Sequence, residues 1–151
     1  MAMNIEVDQS GKIGETGRKT VLAFSDEISF ALIIPSRVKR ECIRWLRRRE
    51  GFKAHSYLRI FAAGLFLLFR DYLDQLDVIT IDVEYPGHED TIRGMLLDYI
   101  WNLDPGFPKE NIGFAQIGKK SKAHERAYRV FQEEIPPDRV VKAKELLALL
   151  R

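Results

Sequence analysis

The stretch IEVDQSGKIGETGRKTVLAFSDEISFALIIPS, residues 5–36, decides how the rest of the chain is read. Ile5 and Val7 alternate with Glu6 and Asp8, the period of a strand with one buried face. The glycine of QSG (9–11) suggests a bulge that re-aims a side chain, and GETG (14–17) is a turn. KTVLAFS (19–25) and ISFALII (28–34) are β-rich runs separated by Asp26 and Glu27, a two-residue hairpin connection. No helix fits between these runs, so the chain opens as a three-stranded antiparallel meander. Asp8 stands in the middle of its first strand, and a carboxylate there needs a partner.

Downstream, PSRVKRECIRWLRRRE (35–50) has helical spacing, with Pro35 as a start signal and Ser36 as the expected N-cap. Val38, Cys42, Trp45 and Leu46 gather on one side, and Arg37, Arg40, Arg44, Arg47 and Arg48 on another. GFKAHS (51–56) breaks the pattern, and a second helix is expected from about Tyr57 to Leu76. DVITIDVEY (77–85) is the strongest strand signal, with Ile79, Ile81 and Val83 facing one way and Thr80, Asp82 and Glu84 the other. PGHEDTIRGMLLDYIWNL (86–103) reads as a helix with Ile92, Met95, Leu96, Tyr99, Ile100 and Leu103 on its apolar face. NIGFAQI (111–117) reads as a short strand. SKAHERAYRVFQEE (121–134) reads as a helix capped by Ser121, with His124, Ala127, Tyr128 and Phe131 inward. The tail, 137–151, is expected to form an appended helix with Val140, Val141, Leu146, Leu147 and Leu150 as its apolar set.

This order predicts an α/β fold: a five-stranded mixed sheet, three antiparallel strands followed by parallel additions, with helices on both faces. At 151 residues with no repeat or flexible linker, a single domain over 1–151 is expected. The composition, 46% hydrophobic and 30% charged, is that of a folded globular chain rather than a disordered one. A net charge of +2 says little about partners, so any case for nucleic acid rests on where the positive charges lie. Cys42 is alone, which excludes an intramolecular disulfide and a cysteine-based zinc site. The most apolar run, IFAAGLFLLF (60–69), falls short of the roughly 20 residues that span a bilayer. MAMNIEVD lacks the features of a signal peptide, so a soluble, cytoplasmic protein with no membrane partner is expected.

The candidate chemistry lies in the acids of the two central strands. If strands one and four are neighbours, Asp8 and Asp82 face each other, and close carboxylates repel unless a cation lies between them. Mg²⁺ or Mn²⁺ suits such oxygen ligands, with Glu84 as a third. The blander reading makes Asp8 a turn residue bonded to the QSG backbone and leaves Asp82 and Glu84 in solvent. His124 is the candidate catalytic residue of the last core helix, against a plain hydrogen-bonded core histidine, and Lys119 is a candidate for steadying developing charge. His55, His88, Glu89 and Asp90 read as surface or helix-start residues. Two basic patches are candidates for a nucleic-acid backbone. One is Arg37, Arg40, Arg44, Arg47 and Arg48; the other holds Lys119, Lys120, Lys122, Arg126 and Arg129. The alternative is two solvated faces.

The strand order and these acids resemble the ribonuclease H-like superfamily, with its retroviral-integrase and resolvase-type cores. The resemblance covers residues 4 to about 133 and rests on VDQSG, ITIDVEY and KAHERA. VDQSG is similar to the DESG opening of one branch of that superfamily, and AHERA resembles Holliday-junction resolvases. The resemblance implies catalytic acids at Asp8 and Asp82 and a last-helix residue at His124 or Glu125. It implies Mg²⁺ or Mn²⁺ as cofactor and DNA or RNA as substrate, hence a metal-dependent nuclease. Glu41 is the nearest match to the family's first-helix glutamate but lies beside the basic stripe, and Gln9 stands where DESG has an acid. Two other functions compete: a non-catalytic module binding nucleic acid or protein through the arginine stripe, and a nucleotide-phosphate enzyme of actin or sugar-kinase type. The last needs two copies of such a core, which a homodimer would supply.

Overall fold

The computed structural model describes residues 2–51 and 55–151. The strands are β1 (Met3–Ser10), β2 (Thr20–Ser25), β3 (Ser29–Ile34), β4 (Leu76–Asp82), β5 (Ile112–Ala115) and β6 (Arg139–Val140). The α-helices are α1 (Ser36–Glu50), α2 (His55–Phe69), α3 (Glu89–Leu103), α4 (Lys122–Phe131) and α5 (Ala143–Leu150). Among the described residues these form an α/β fold around one mixed six-stranded sheet, ordered β5-β4-β1-β2-β3-β6. The meander is present, with β1–β2 and β2–β3 antiparallel. β4 pairs with β1 in parallel and β5 with β4 in parallel. The carboxyl ends of β1, β3, β4 and β5 therefore lie along one edge of the sheet.

Several expected boundaries move. The sheet has six strands rather than five because residues 139–140 pair in parallel with β3. The expected 137–151 helix is accordingly only Ala143–Leu150. A two-residue strand leaves no alternation for sequence periodicity to register. The hairpin between β2 and β3 holds Asp26, Glu27 and Ile28, because Ser25 and Ser29 already face each other as partners. QSG forms no bulge: β1 runs to Ser10, and the turn begins at Gly11 with φ 81°. A Cβ at Gly11 would lie 2.4 Å from the Lys19 carbonyl oxygen and 2.7 Å from the Phe131 ring, so only glycine fits. α1 is capped at Pro35 without a side-chain bond, and the Ser36 hydroxyl accepts from Arg40 instead. Gly51, φ 75°, ends α1, and residues 52–54 of the expected break lie outside the described residues. The second helix stops at Phe69, and a 3₁₀ turn over Arg70–Gln75 leads into β4.

Alternation along the strands sends their side chains into two unequal cores. Ile5, Val7, Leu22, Phe24, Ile79 and Ile81 face a large apolar cluster shared with α1, α2, α3 and α5. α2 is buried almost all round, and no helix among the described residues is long and apolar enough to cross a membrane. On α3, Leu97 is buried and Leu103 is 57% exposed, so its apolar face ends a turn earlier than the pattern suggests. Among the described residues the opposite face of the sheet is covered by one helix, α4, through Val21, Ala23, Ala31, Ala127 and Val130, with Ile135 packed beside them. All five of the buried side chains are valine or alanine, so α4 lies close to the strands. Helices do occupy both faces.

Candidate metal centre

Asp8 and Asp82 are brought together by register. Ile5 pairs with Ile79 and Val7 with Ile81 across the parallel β1–β4 ladder. The next residue of each strand is an aspartate, and both turn to the α4 face. Glu84 follows two residues later, just past β4, where the Val83 amide still donates to the Ala115 carbonyl at 3.1 Å. One carboxylate oxygen from each of Asp8, Asp82 and Glu84 lies within 4.8 Å of the others. Asp8 is buried and the other two are half-buried.

Each acid is held in place. The Gln9 amide donates to Asp8 Oδ1 at 2.8 Å, and the Ile117 amide donates to Asp82 Oδ1 at 3.0 Å. His124 Nδ1 lies 2.7 Å from Asp8 Oδ2. Burial pushes the Glu84 carboxyl up to about 9, helped by hydrogen bonding of its proton to Asp82 and Asp8 and by their negative charge. A metal ion could be held by these three oxygens and would offset their mutual repulsion. Three hard oxygen donors, no nitrogen or sulfur among them, suit a hard cation better than a soft one. The residues present therefore fit a divalent ion.

α4 brings His124 to this place through the helical repeat. Ala123, Ala127 and Val130 form its buried stripe. His124, Tyr128 and Phe131 form the next stripe round. They are not the inward face that the apolar pattern suggests, and Tyr128 is 49% exposed. From that flank His124 reaches along the sheet to Asp8. Ser121 caps the helix as expected, its hydroxyl accepting from the Ala123 amide at 3.2 Å. A cleft of about 320 Å³ opens over Asp8, Asp82 and His124, walled by the β5–α4 loop from Gln116 to Lys119.

The other sequence candidates divide. Lys119 lines the cleft, and Lys120 and Lys122 are exposed beside it. Arg37, Arg40, Arg44, Arg47 and Arg48 are exposed on α1, whose buried side packs into the core on the other side of the sheet from α4. Glu41 is exposed on that helix, and Glu125 is exposed on α4; neither joins the acidic cluster. His88, Glu89 and Asp90 lie at the start of α3, and the His55 and His88 rings are 6.5 Å apart.

Sequence reasoning missed the scaffold behind the acids. Gln9 Oε1 accepts from the Tyr85 hydroxyl at 3.2 Å, and that hydroxyl accepts from the Ile13 amide at 3.3 Å. Tyr85 also packs on Phe61, which ties the segments next to Asp8 and Glu84 to α2. Lys39 is fully buried, its Nζ donating to Lys12 O, Glu15 O and Thr20 Oγ1 at 2.8–3.0 Å. Burial pulls its ammonium down to about 8, against the opposing charge of Glu15. The available signal was its place: Lys39 falls next to Val38 and one turn before Ile43, inside the apolar arc. No protein-family model, curated protein or solved structure matches this chain.

Proposed function

We propose that this chain is a divalent-metal-dependent nuclease of ribonuclease H-like type, cleaving phosphodiester bonds of nucleic acid. The observation that carries the reading is the Asp8–Asp82–Glu84 convergence within 4.8 Å, with His124 bonded to its most buried member. The order β5-β4-β1-β2-β3 within the sheet, with acids at the ends of the two central strands, supports the fold-family assignment. Mg²⁺ or Mn²⁺ held by Asp8, Asp82 and Glu84 would supply Lewis-acid polarisation of a phosphoryl oxygen and an acidified water.

The chain's own residues have separable tasks. Asp8, with Oδ1 fixed by the Gln9 amide, holds His124 through Oδ2 and so sets the orientation of the imidazole. With Nδ1 engaged, Nε2 is the nitrogen left to exchange a proton with a substrate or solvent oxygen. Lys119, on the wall of the same cleft, balances charge on the phosphate. The Ile117 amide keeps Asp82 from turning away when the site is empty of cation.

The deciding experiment pairs cleavage with metal binding. Wild type should cleave labelled DNA or RNA in Mg²⁺ or Mn²⁺ and not in chelator. Asp8→Asn and Asp82→Asn should each lose at least about a hundredfold in rate, along with the metal-induced rise in Tm. Equal cleavage by all three proteins would remove these roles.

A second reading has its own support. The α1 arginines are exposed together, and Arg40, Arg44 and Arg47 line a groove of about 210 Å³ with Thr16 and Ile43. Such a surface suits a non-catalytic module that binds a polyanion. It predicts salt-sensitive binding without hydrolysis, abolished in an Arg40/Arg44/Arg47 triple alanine variant and indifferent to Asp8→Asn.

A further inference from the structure

The flank of α4 that carries His124 continues beyond the acidic cleft. Tyr128 and Phe131 follow His124 at helical spacings of four and seven, so Phe131 lies about 10 Å farther along the axis. The His124 and Tyr128 rings are nearly parallel, 13° between planes with centroids 6.5 Å apart. Tyr128 is 49% exposed, so a face of its ring is open to solvent.

At the far end of this line the charge reverses. The Arg18 guanidinium lies 4.6 Å and the Lys19 ammonium 4.8 Å from the Phe131 ring centre, two cations gathered on one ring. They border a cleft of about 530 Å³, with Ile33, Ser36 and Glu133 among its walls. The one acid lining it, Glu133, is 84% exposed and pairs with Lys19 at 3.7 Å, a contact weak enough for an incoming anion to displace. Gly11, the residue after β1, lies hard against both Phe131 and the Lys19 backbone. Acidic cleft, exposed ring and cationic cleft thus follow one another along a single edge of the sheet.

We infer that this line seats an unpaired nucleic-acid strand, so that the substrate class is single-stranded DNA or RNA, or the unpaired part of a larger structure. The inference rests on the nucleic-acid reading above and adds the path and the strandedness. A base stacks on Tyr128, while the phosphates farther along meet Arg18 and Lys19. An exposed ring offers its face to a splayed base and gives nothing to a base already stacked inside a duplex. Lys119, Lys120 and Lys122 flank the near end, where the strand enters the acidic cleft.

Fluorescence anisotropy at low salt in chelator, with a labelled single strand and the duplex of the same sequence, separates binding from cleavage. The strand should bind at least about tenfold more tightly than the duplex, and Tyr128→Ala should weaken it about tenfold. Arg18→Ala should weaken it and flatten its salt dependence, and Glu133→Asn should tighten it. These side chains are exposed, and circular dichroism will report whether each variant folds. Equal affinity for strand and duplex, or wild-type affinity in Tyr128→Ala and Arg18→Ala, overturns the proposal. Strand binding with these sensitivities but no cleavage in Mg²⁺ or Mn²⁺ removes the nuclease reading and upholds the seat. Cleavage that none of these variants alters, in rate or affinity, does the reverse.

Discussion

Asp8 shows how much one residue can be asked to do. Its two oxygens serve the Gln9 amide and His124, and the same group converges on Asp82 and Glu84. The repulsion this creates falls on Glu84, whose carboxyl is raised from 4.5 to about 9 by burial and by the two aspartates. A raised folded-state value means the folded protein holds a proton that the unfolded chain gives up. The stabilising contribution is therefore full below pH 4.5 and lost as pH rises through about 9. In chelator, Tm should fall across that window, and Mg²⁺ should restore more of it at the alkaline end. Glu84→Gln should flatten the Tm–pH curve and lose the Mg²⁺ response; an unchanged curve would mean that Glu84 is not the group that titrates. Lys39 offers a second test at this scale. Lys39→Met keeps the volume and takes the donor from three oxygens, one buried and two part-buried, so it should lower stability by about 1–3 kcal/mol in urea unfolding. Faster amide exchange across residues 12–20 should accompany it, because Lys39 Nζ holds that turn from inside.

Among the elements, α4 decides whether the site exists. Ala23 and Ala31 from the sheet and Ala127 from the helix make a thin seam, all fully buried. That closeness lets the flank of α4 deliver His124 to within 2.7 Å of Asp8. Ala127→Leu should cost about 1–3 kcal/mol through overpacking and lift the helix from the strands. Cleavage should fall more than stability predicts, while Mg²⁺ binding by the acids, measured by calorimetry, survives. Metal affinity lost in parallel with activity would show instead that α4 shapes the acid cluster itself. Tyr85 plays the corresponding part on the other side, linking Gln9, the Ile13 amide and α2. Tyr85→Phe keeps the ring against Phe61 and removes both hydrogen bonds, so metal affinity should drop with little change in secondary structure.

For the whole molecule, the C-terminal segment is part of the main core rather than an addition to it. Val141, Leu146 and Leu150 are essentially fully buried in the large cluster, Asp138 accepts from the Ala31 amide, and β6 extends the sheet. Burying three such side chains is worth about 1.5–3 kcal/mol each, a large part of the 5–15 kcal/mol that holds a domain together. A chain ending at residue 138 should therefore lack a cooperative thermal transition; a sharp transition near the full-length Tm would show the segment to be dispensable. The sequence by itself determined the meander, the alternation of β4 and the shared parity of Asp8, Asp82 and Glu84, because a strand assigns its side chains to faces by counting in twos. It also placed His124 near the start of the last core helix, where a cap at Ser121 could be recognised. It could not supply the parallel register that sets Val7 beside Ile81, the burial of Lys39, the third strand-edge pairing at β6, or the turn of α4 that points His124 along the sheet. Those depend on which element packs against which, and at what distance. A local pattern carries the period of a strand or helix, but only the neighbours across the fold decide what each face meets.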